Sequence, residues 1–245
     1  MNIKNLVTGF VIASAILFTS CNSEDNDPNN PNSFPDQSKE QETVALNSAS
    51  NFAVLLGSAL TNIGATQITG DLGLSPGTSI GGFPPGILTG TQHVNDDLAK
   101  QAKLDLTAAY NDAAGRTSTD IVTLSGNIGG MVLTPGLYKS TSSLAISSGD
   151  LTFNAQGDAN AVFIIQIASS FTATAGRKII LAGNAKASHI FWQVGTSATF
   201  GTTSVMKGTF MAMTAITFET GATLNGRALA RTAGIVLAGN TIVKE

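Results

Sequence analysis

Ionisable and aromatic side chains are scarce in this chain of 245 residues. Asp, Glu, Lys and Arg together make up 12% of it, and Phe, Trp and Tyr only 6%. Thirteen basic residues against 16 acidic ones leave a net charge of −3. No basic patch stands ready to neutralise phosphates, so nucleic acid is not an expected partner. The single cysteine, Cys21, excludes an internal disulfide framework. Two histidines, His93 and His189, are too few for a His-rich site, and neither has a Cys or His at ligand spacing, so no metal is expected. What the chain has instead is threonine and glycine. Its 29 threonines equal all charged residues combined, and glycine fills 26 positions. An apolar content of 42% can bury a sizeable core, which excludes disorder throughout. These proportions point to a Thr/Gly-rich, weakly charged, all-β protein.

The first twenty residues read as an export signal. Lys4 precedes an apolar run from Leu6 to Phe18, and small Thr19 and Ser20 precede Cys21. The run is short for a membrane span, so residues 1–20 are set aside from the fold. Phe18-Thr19-Ser20-Cys21 resembles a bacterial lipoprotein lipobox, with Phe18 in place of the usual Leu. The resemblance implies cleavage before Cys21, acylation there, and a place outside the cell or on its outer surface. The acidic cluster Ser23-Glu24-Asp25-Asn26-Asp27 looks like the tether of such lipoproteins. Membrane contact is expected only through that lipid anchor. The following stretch is Asn, Pro, Ser, Asp and Glu with hardly an apolar side chain, so 21–43 is expected to be the acylated Cys and a disordered linker. The folded domain is expected over 44–245.

Within that domain the chain repeats. Thr196, Thr214 and Thr232 recur every 18 residues, as do Thr199, Thr217 and Ile235. Phe200, Phe218 and Val236 line up, as do Met206, Leu224 and Ile242, and Gly208 with Gly226. One step earlier the spacing is 27: Phe-Ile-Ile-Gln-Ile at 163–167 matches Ile-Phe-Trp-Gln-Val at 190–194, bringing Ser169 and Thr172 into line with Thr196 and Thr199. Leu-Gly-Ser-Ala-Leu-Thr at 56–61 echoes Val-Gly-Thr-Ser-Ala-Thr at 194–199. A period near 18 is too short for helical repeats and fits one turn of a three-sided β-solenoid, made irregular by its unequal coils. Alternation then turns Ala198, Phe200, Ile216 and Phe218 inward, and Thr199 and Thr217 outward. Thr196 lies three residues from Thr199, so either a corner falls near Gly195-Thr196 or Thr196 packs inward. One segment breaks the pattern. Val94, Leu98, Ala102, Leu106, Ala109 and Ala113 form an amphipathic stripe, which predicts a helix over about 92–114, begun by His93 and packed along one side.

Catalytic groups do not converge. Glu219 is nearly alone among carboxylates in the C-terminal coils, which leaves no acid pair for glycoside hydrolysis. Asp150 and Asp158 fall at apparent turns. The glycines at 126–130 lack the Lys-Ser/Thr of a phosphate loop. Trp192 aligns with inward Ile165 and reads as core, while Arg227 and Arg231 read as corner or cap residues. No enzymatic activity and no cofactor are expected; any site is a surface. The threonine columns are the positive feature. Stiff at χ1 and repeated at the rung spacing of a sheet, about 4.8 Å, they are a template for ordered water. They are equally explained by threonine's suitability for exposed strands.

At this point a resemblance enters. Gly70-Asp71-Leu72-Gly73-Leu74-Ser75-Pro76-Gly77, Gly82-Phe83-Pro84-Pro85-Gly86, Gly157-Asp158-Ala159-Asn160-Ala161-Val162-Phe163 and Asn225-Gly226-Arg227-Ala228-Leu229-Ala230 resemble signatures of the microbial ice-binding (antifreeze) proteins. The likeness covers nearly all of 44–245. It implies a mainly β fold, a discontinuous right-handed three-sided β-solenoid (β-helix) with one long α-helix alongside. It also implies a protein that adsorbs to an ice crystal surface through one flat face, lowers the freezing point and inhibits recrystallisation, with no cofactor or metal. Some bacterial members carry a Thr-Ala/Gly-X-Thr/Asn pattern on that face. Here Thr214-Ala215-Ile216-Thr217 and Thr220-Gly221-Ala222-Thr223 match it; Thr196-Ser197-Ala198-Thr199 departs at its second position and Thr232-Ala233-Gly234-Ile235 at its last. The expected ice-binding residues are therefore Thr196, Thr199, Thr214, Thr217 and Thr232, extended by Ser169 and Thr172, with Thr220 and Thr223 second. Glu219 and Lys207 are awkward for such a face. A monomer is expected. The alternative is a cell-surface carbohydrate-binding or adhesive β-solenoid, which calls for exposed aromatics and carboxylates along a groove.

Overall fold

The computed structural model describes residues 41–245. The expected export signal, Cys21 and the linker up to residue 40 lie outside the described residues. At the start of the described residues Val44 and Leu46 are buried, and Arg116 donates to the carbonyls of Glu42 and Thr43.

Short strands, all paired in parallel, stack into an irregular three-sided β-solenoid. One side climbs through Val122–Thr123, Gly136–Ser140, Phe163–Ile167, Ile190–Val194 and the second halves of Val205–Ala212 and Thr223–Ala230. The next runs through Gly126–Asn127, Leu144–Ile146, Phe171–Ala173, Ala198–Phe200, Ile216–Phe218 and Ile235–Ala238. The third holds Val132–Leu133, Leu151–Asn154 and Ile179–Ala182, then the first halves of the two long strands and Thr241–Val243. The long strands turn a corner without breaking because glycine sits at the bend. Gly226 has φ +138°, and a Cβ there would lie 2.0 Å from the carbonyl oxygen of Gly208 on the neighbouring rung.

Spatial order along the axis is not chain order. The N-terminal coils stack on the C-terminal one, with Val54 beside Ala228, Leu60 beside Ile235 and Ile68 beside Ile242. The chain climbs through Asp71–Leu74 and Gln92–Val94, and then the helix α1 (Asp97–Gly115) carries it back toward the opposite end. There Val122–Thr123 begins the remaining coils. At 19 residues α1 is about 28 Å long, the height of about six rungs.

The helix starts later than the stripe predicts. Gln92–Val94 is a strand paired with Asp71–Leu74, because the open edge of that sheet satisfies its backbone. Asp96 is the N-cap, its carboxylate accepting from the Ala99 N–H at 2.8 Å. His93 therefore does not begin the helix; its Nδ1 lies 2.7 Å from Asp96, and its ring meets Phe52 edge-on. The buried stripe is Ala99, Ala102, Leu106, Ala109, Tyr110 and Ala113. Leu98 is 39% exposed, since Ala99, about 100° further round, takes the facing place.

Two apolar cores result. Inside the coil, Trp192 is stacked on Phe210 with ring centroids 5.1 Å apart, among Phe153, Phe171 and Phe200. Trp192 pairs with Ile165 as expected and donates its indole N–H to the Lys207 carbonyl at 3.2 Å. Outside, α1 lies on the first side, closing Ala102, Leu106, Tyr110 and Ala113 over Leu137, Ile164, Phe191, Met211 and Leu229. Arg227 and Arg231 belong to this covered region more than to a free corner. Arg227 donates to Ser50 and Glu245 carbonyls, and Arg231 lies over the Tyr110 ring at 4.5 Å.

The expected spacings appear in the register, 27 from Phe163 to Ile190 and 18 from Phe191 to Thr209. One column is corrected. The corner at 231–234 carries one extra residue, so Ile216 pairs with Ile235 and Thr217 with Val236. Ile235, expected outward, is buried, while Val236, expected beside Phe218 in the core, is 42% exposed. The extra residue is taken up before the next corner, and the spacing of 18 resumes with Thr223 beside Thr241.

Candidate functional site

With one side beneath α1, two sides remain to meet solvent. The eight strands of the sheet that runs from Gly126–Asn127 to Ser79–Gly81 contain no Asp, Glu, Lys or Arg. Each shows an inward–outward–inward burial pattern where the repeat is regular, as in Phe171–Ala173, Ala198–Phe200 and Ile216–Phe218. The outward position is threonine in all three.

These positions form a central column. Thr172 pairs with Thr199, Thr199 with Thr217, Thr217 with Val236, and Val236 with Thr61. Among the described residues, the hydroxyls of Thr172, Thr199, Thr217 and Thr61 have no internal hydrogen-bond partner and are left to solvent. A second column runs along the corner. Thr196 N–H donates to Ser169 O and Thr214 N–H to Thr196 O, both at 3.0 Å. The same pattern continues through Ala233 to Ser58, at 3.3 Å each. The bend at Gly195–Thr196 resolves the sequence alternatives in favour of a corner, leaving Thr196 exposed. Glycine is needed there because a Cβ on Gly195 would lie 2.2 Å from the Ala168 carbonyl oxygen. Thr214 is held by a 2.7 Å contact between its hydroxyl and that of Ser197.

The other expected residues separate from this pair of columns. Thr232 sits on the lengthened corner, where its hydroxyl donates to Met213 O at 2.7 Å, and the register gives its expected place beside Thr214 to Ala233. Thr220 lies on the turn leading to the third side, and Thr223 on that side itself, beside Val205 and Thr241. The two awkward charges also leave the centre. Lys207 is on the third side beside Asn225, and Glu219 follows Phe218 at the margin of the uncharged side. Two further positions join the columns, Ser58 and Thr61. Their signal in the sequence is the echo of 194–199 at 56–61; that the N-terminal coil continues the C-terminal stack is what the repeat alone does not say.

The uncharged sheet presents hydroxyls and methyls on a regular grid. It can hold water in a fixed pattern. Asp150 and Asp158, expected at turns, are engaged there: Asp150 accepts from the Lys178 N–H and Asp158 from the Asn160 N–H. Among the described residues no group of three or more His, Cys, Asp or Glu side chains is arranged to hold a metal ion.

Comparison with known proteins places this geometry. The family model described as ice-binding-like matches residues 54–243. An ice-binding protein of Nostoc sp. is 41% identical over 212 residues, covering 86% of this chain and 77% of its own length. One from Flavobacterium frigoris is 36% identical, covering 91% and 84%. The crystal structure of an ice-binding protein from an Antarctic biological consortium is 65% identical with a TM-score of 0.85, covering 86% of this chain and 95% of that one. The ice-binding protein of the Antarctic ascomycete Antarctomyces psychrotrophicus is 39% identical with a TM-score of 0.79, covering 83% and 99%.

Proposed function

Because the chain belongs to the ice-binding-like family, we propose that it is a non-enzymatic ice-binding protein that adsorbs to ice through its uncharged, threonine-bearing side. The observation that carries this reading is the central column Thr172–Thr199–Thr217–Val236–Thr61, five outward positions on successive rungs without a charge among them. Its neighbour is the corner column of Ser169, Thr196, Thr214 and Ser58. Rungs recur at about 4.8 Å, and β-branched side chains have little rotamer freedom to lose on contact. Water held on such a grid joins the lattice of a growing crystal, and many weak contacts act together. Adsorbed molecules then pin the ice surface, giving thermal hysteresis and inhibition of recrystallisation.

The protein acts outside the cell. Residues 1–20 as an export signal and Cys21 as an acylation site support an outer-surface location, where it would hold the cell to ice or shield its surface. The test is direct: purified protein is placed with a single ice crystal in plain buffer, without any polysaccharide. A freezing gap with crystal shaping is expected; its absence at high concentration would exclude ice as the ligand and favour an adhesive role.

A further inference from the structure

The uncharged side crosses a joint that no peptide bond closes. Residues 233–236 come from the C-terminal coil and 58–61 from the N-terminal one, and they meet through the ladder and the shared core, where Leu60 lies beside Ile235. Ala233 O accepts from both Gly57 N–H, at 3.0 Å, and Ser58 N–H, at 3.3 Å. The corner that feeds this joint, 231–234, is also where the coil takes its extra residue. Ladders such as Val54–Ala228, Leu60–Ile235 and Ile68–Ile242 hold the two coils together on all three sides, and the irregular corner is where a link from outside the coil can add to that register.

The helix supplies one. Lys103 reaches from α1 to the end of the Thr223–Ala230 strand, where its Nζ donates to Ala230 O and Arg231 O, each at 2.6 Å. Next to it, Arg231 lies on the Tyr110 ring and donates to Met213 Sδ at 3.4 Å. Tyr110 in turn donates to Val194 O and accepts from Gln193. These links tie α1 to the rungs that lead up to the lengthened corner, and Asp105, accepting from the Ser48 N–H at 3.0 Å, ties it to the start of the N-terminal coil beyond. Burial, with the Arg231 charge adding to it, holds the Lys103 ammonium down to about 7. Even the neutral amine keeps two hydrogens, enough for the two carbonyls it serves.

We propose that Lys103 is a positioning residue for ice binding: by clamping the carbonyls of Ala230 and Arg231 it sets the register with which Ala233–Val236 meet Ser58–Thr61 at the joint. The proposal rests on the assignment of this side as the ice-binding face. Without the clamp the rungs beyond the joint fall out of line with those before it, and the continuous face is cut to the part below.

The test compares the whole chain with its Lys103→Met, Lys103→Arg and Thr217→Tyr variants by thermal hysteresis near 0 °C, with circular dichroism as the fold control. Contacts sum over repeated rungs, so Lys103→Met, which keeps the stem and loses the donors, should lower hysteresis roughly twofold while remaining folded. Lys103→Arg, which restores paired donors, should recover it. Thr217→Tyr should abolish most of it. A folded Lys103→Met with wild-type hysteresis, beside a collapsed Thr217→Tyr, would overturn the clamp and leave the face standing. A loss in Lys103→Met that arginine does not rescue would also overturn it, assigning the lysine to packing alone. Unimpaired Thr217→Tyr would remove the face and this proposal with it. If Lys103→Met fails to fold, Lys103→Leu takes its place, since it also lacks donors and has a shorter apolar stem. Reduced hysteresis in that folded variant supports the clamp, and wild-type hysteresis overturns it.

Discussion

Replacing Thr217 by tyrosine is the sharpest perturbation of the ice-binding side. Thr217 lies at the middle of the central column, between Thr199 and Val236, with Thr214 three residues before it on the same rung. It faces outward and is half-buried, and tyrosine is favoured on strands, so the fold should lose less than about 0.5 kcal/mol. The ring nevertheless stands proud of a flat surface and lifts an ice lattice away from its neighbours. At about 0.5 kcal/mol per side chain, losing Thr217, Thr199, Val236 and Thr214 weakens adsorption by about 2 kcal/mol, or about 30-fold. The assay is thermal hysteresis at matched concentration, with melting temperature as the fold control. Thr69→Tyr is the companion variant. Thr69 is exposed on the third side beside Val243 and Thr89, and its substitution should leave hysteresis unchanged. A folded Thr217→Tyr with undiminished hysteresis would refute the reasoning. Collapse in Thr69→Tyr instead would move the site to the third side.

Other consequences concern the frame. Gly195→Ala should cost about 1–3 kcal/mol and lower the melting temperature, because its Cβ would meet the Ala168 carbonyl oxygen at 2.2 Å, whereas Gly115→Ala, with nothing nearby, should be neutral; equal melting points would show that the corner gives way. Asp96→Ala should lower the melting temperature by about 3 °C through loss of the α1 N-cap. The Ala99 N–H and then His93 hold the Asp96 carboxyl below its usual value, so its contribution is present above about pH 4 and is lost as pH falls through its lowered value. An acid melting series in which wild type and Asp96→Ala do not converge would contradict this. Lys103 carries the opposite sign. Its folded value of about 7 lies below its unfolded one, so the unfolded chain binds the extra proton and stability should rise with pH from about 7 to about 10. Lys103→Met should flatten that rise in denaturant titrations.

Much of this architecture is legible in the amino-acid order, because a solenoid repeats locally and each rung carries its own inward and outward pattern. Spacings of 18 and 27 identify the coils, Phe200 and Phe218 their interior, and Thr172, Thr199 and Thr217 their outward line. A flat uncharged face also leaves a compositional trace, since it is defined by what it omits. The helix stripe is legible too, though not its start: residues 92–94 suit a helix until the open edge of Asp71–Leu74 offers them a ladder.

Three things were decided only by the tertiary structure. The extra residue at 231–234 shifts Ile235 inward and Val236 outward, a choice made by burial across the next rung and invisible to a fixed period. The stacking of 52–69 on the C-terminal coil brings Ser58 and Thr61 into the face, and no sequence neighbour reports a contact between chain segments so far apart. Finally, α1 covers one of three similar sides, because Ala102, Leu106 and Tyr110 fit Ile164, Phe191 and Leu229 there. Period and alternation act through nearest neighbours, so the sequence carries them by itself. Which surfaces remain open to ice depends on long-range packing, which the folded chain settles.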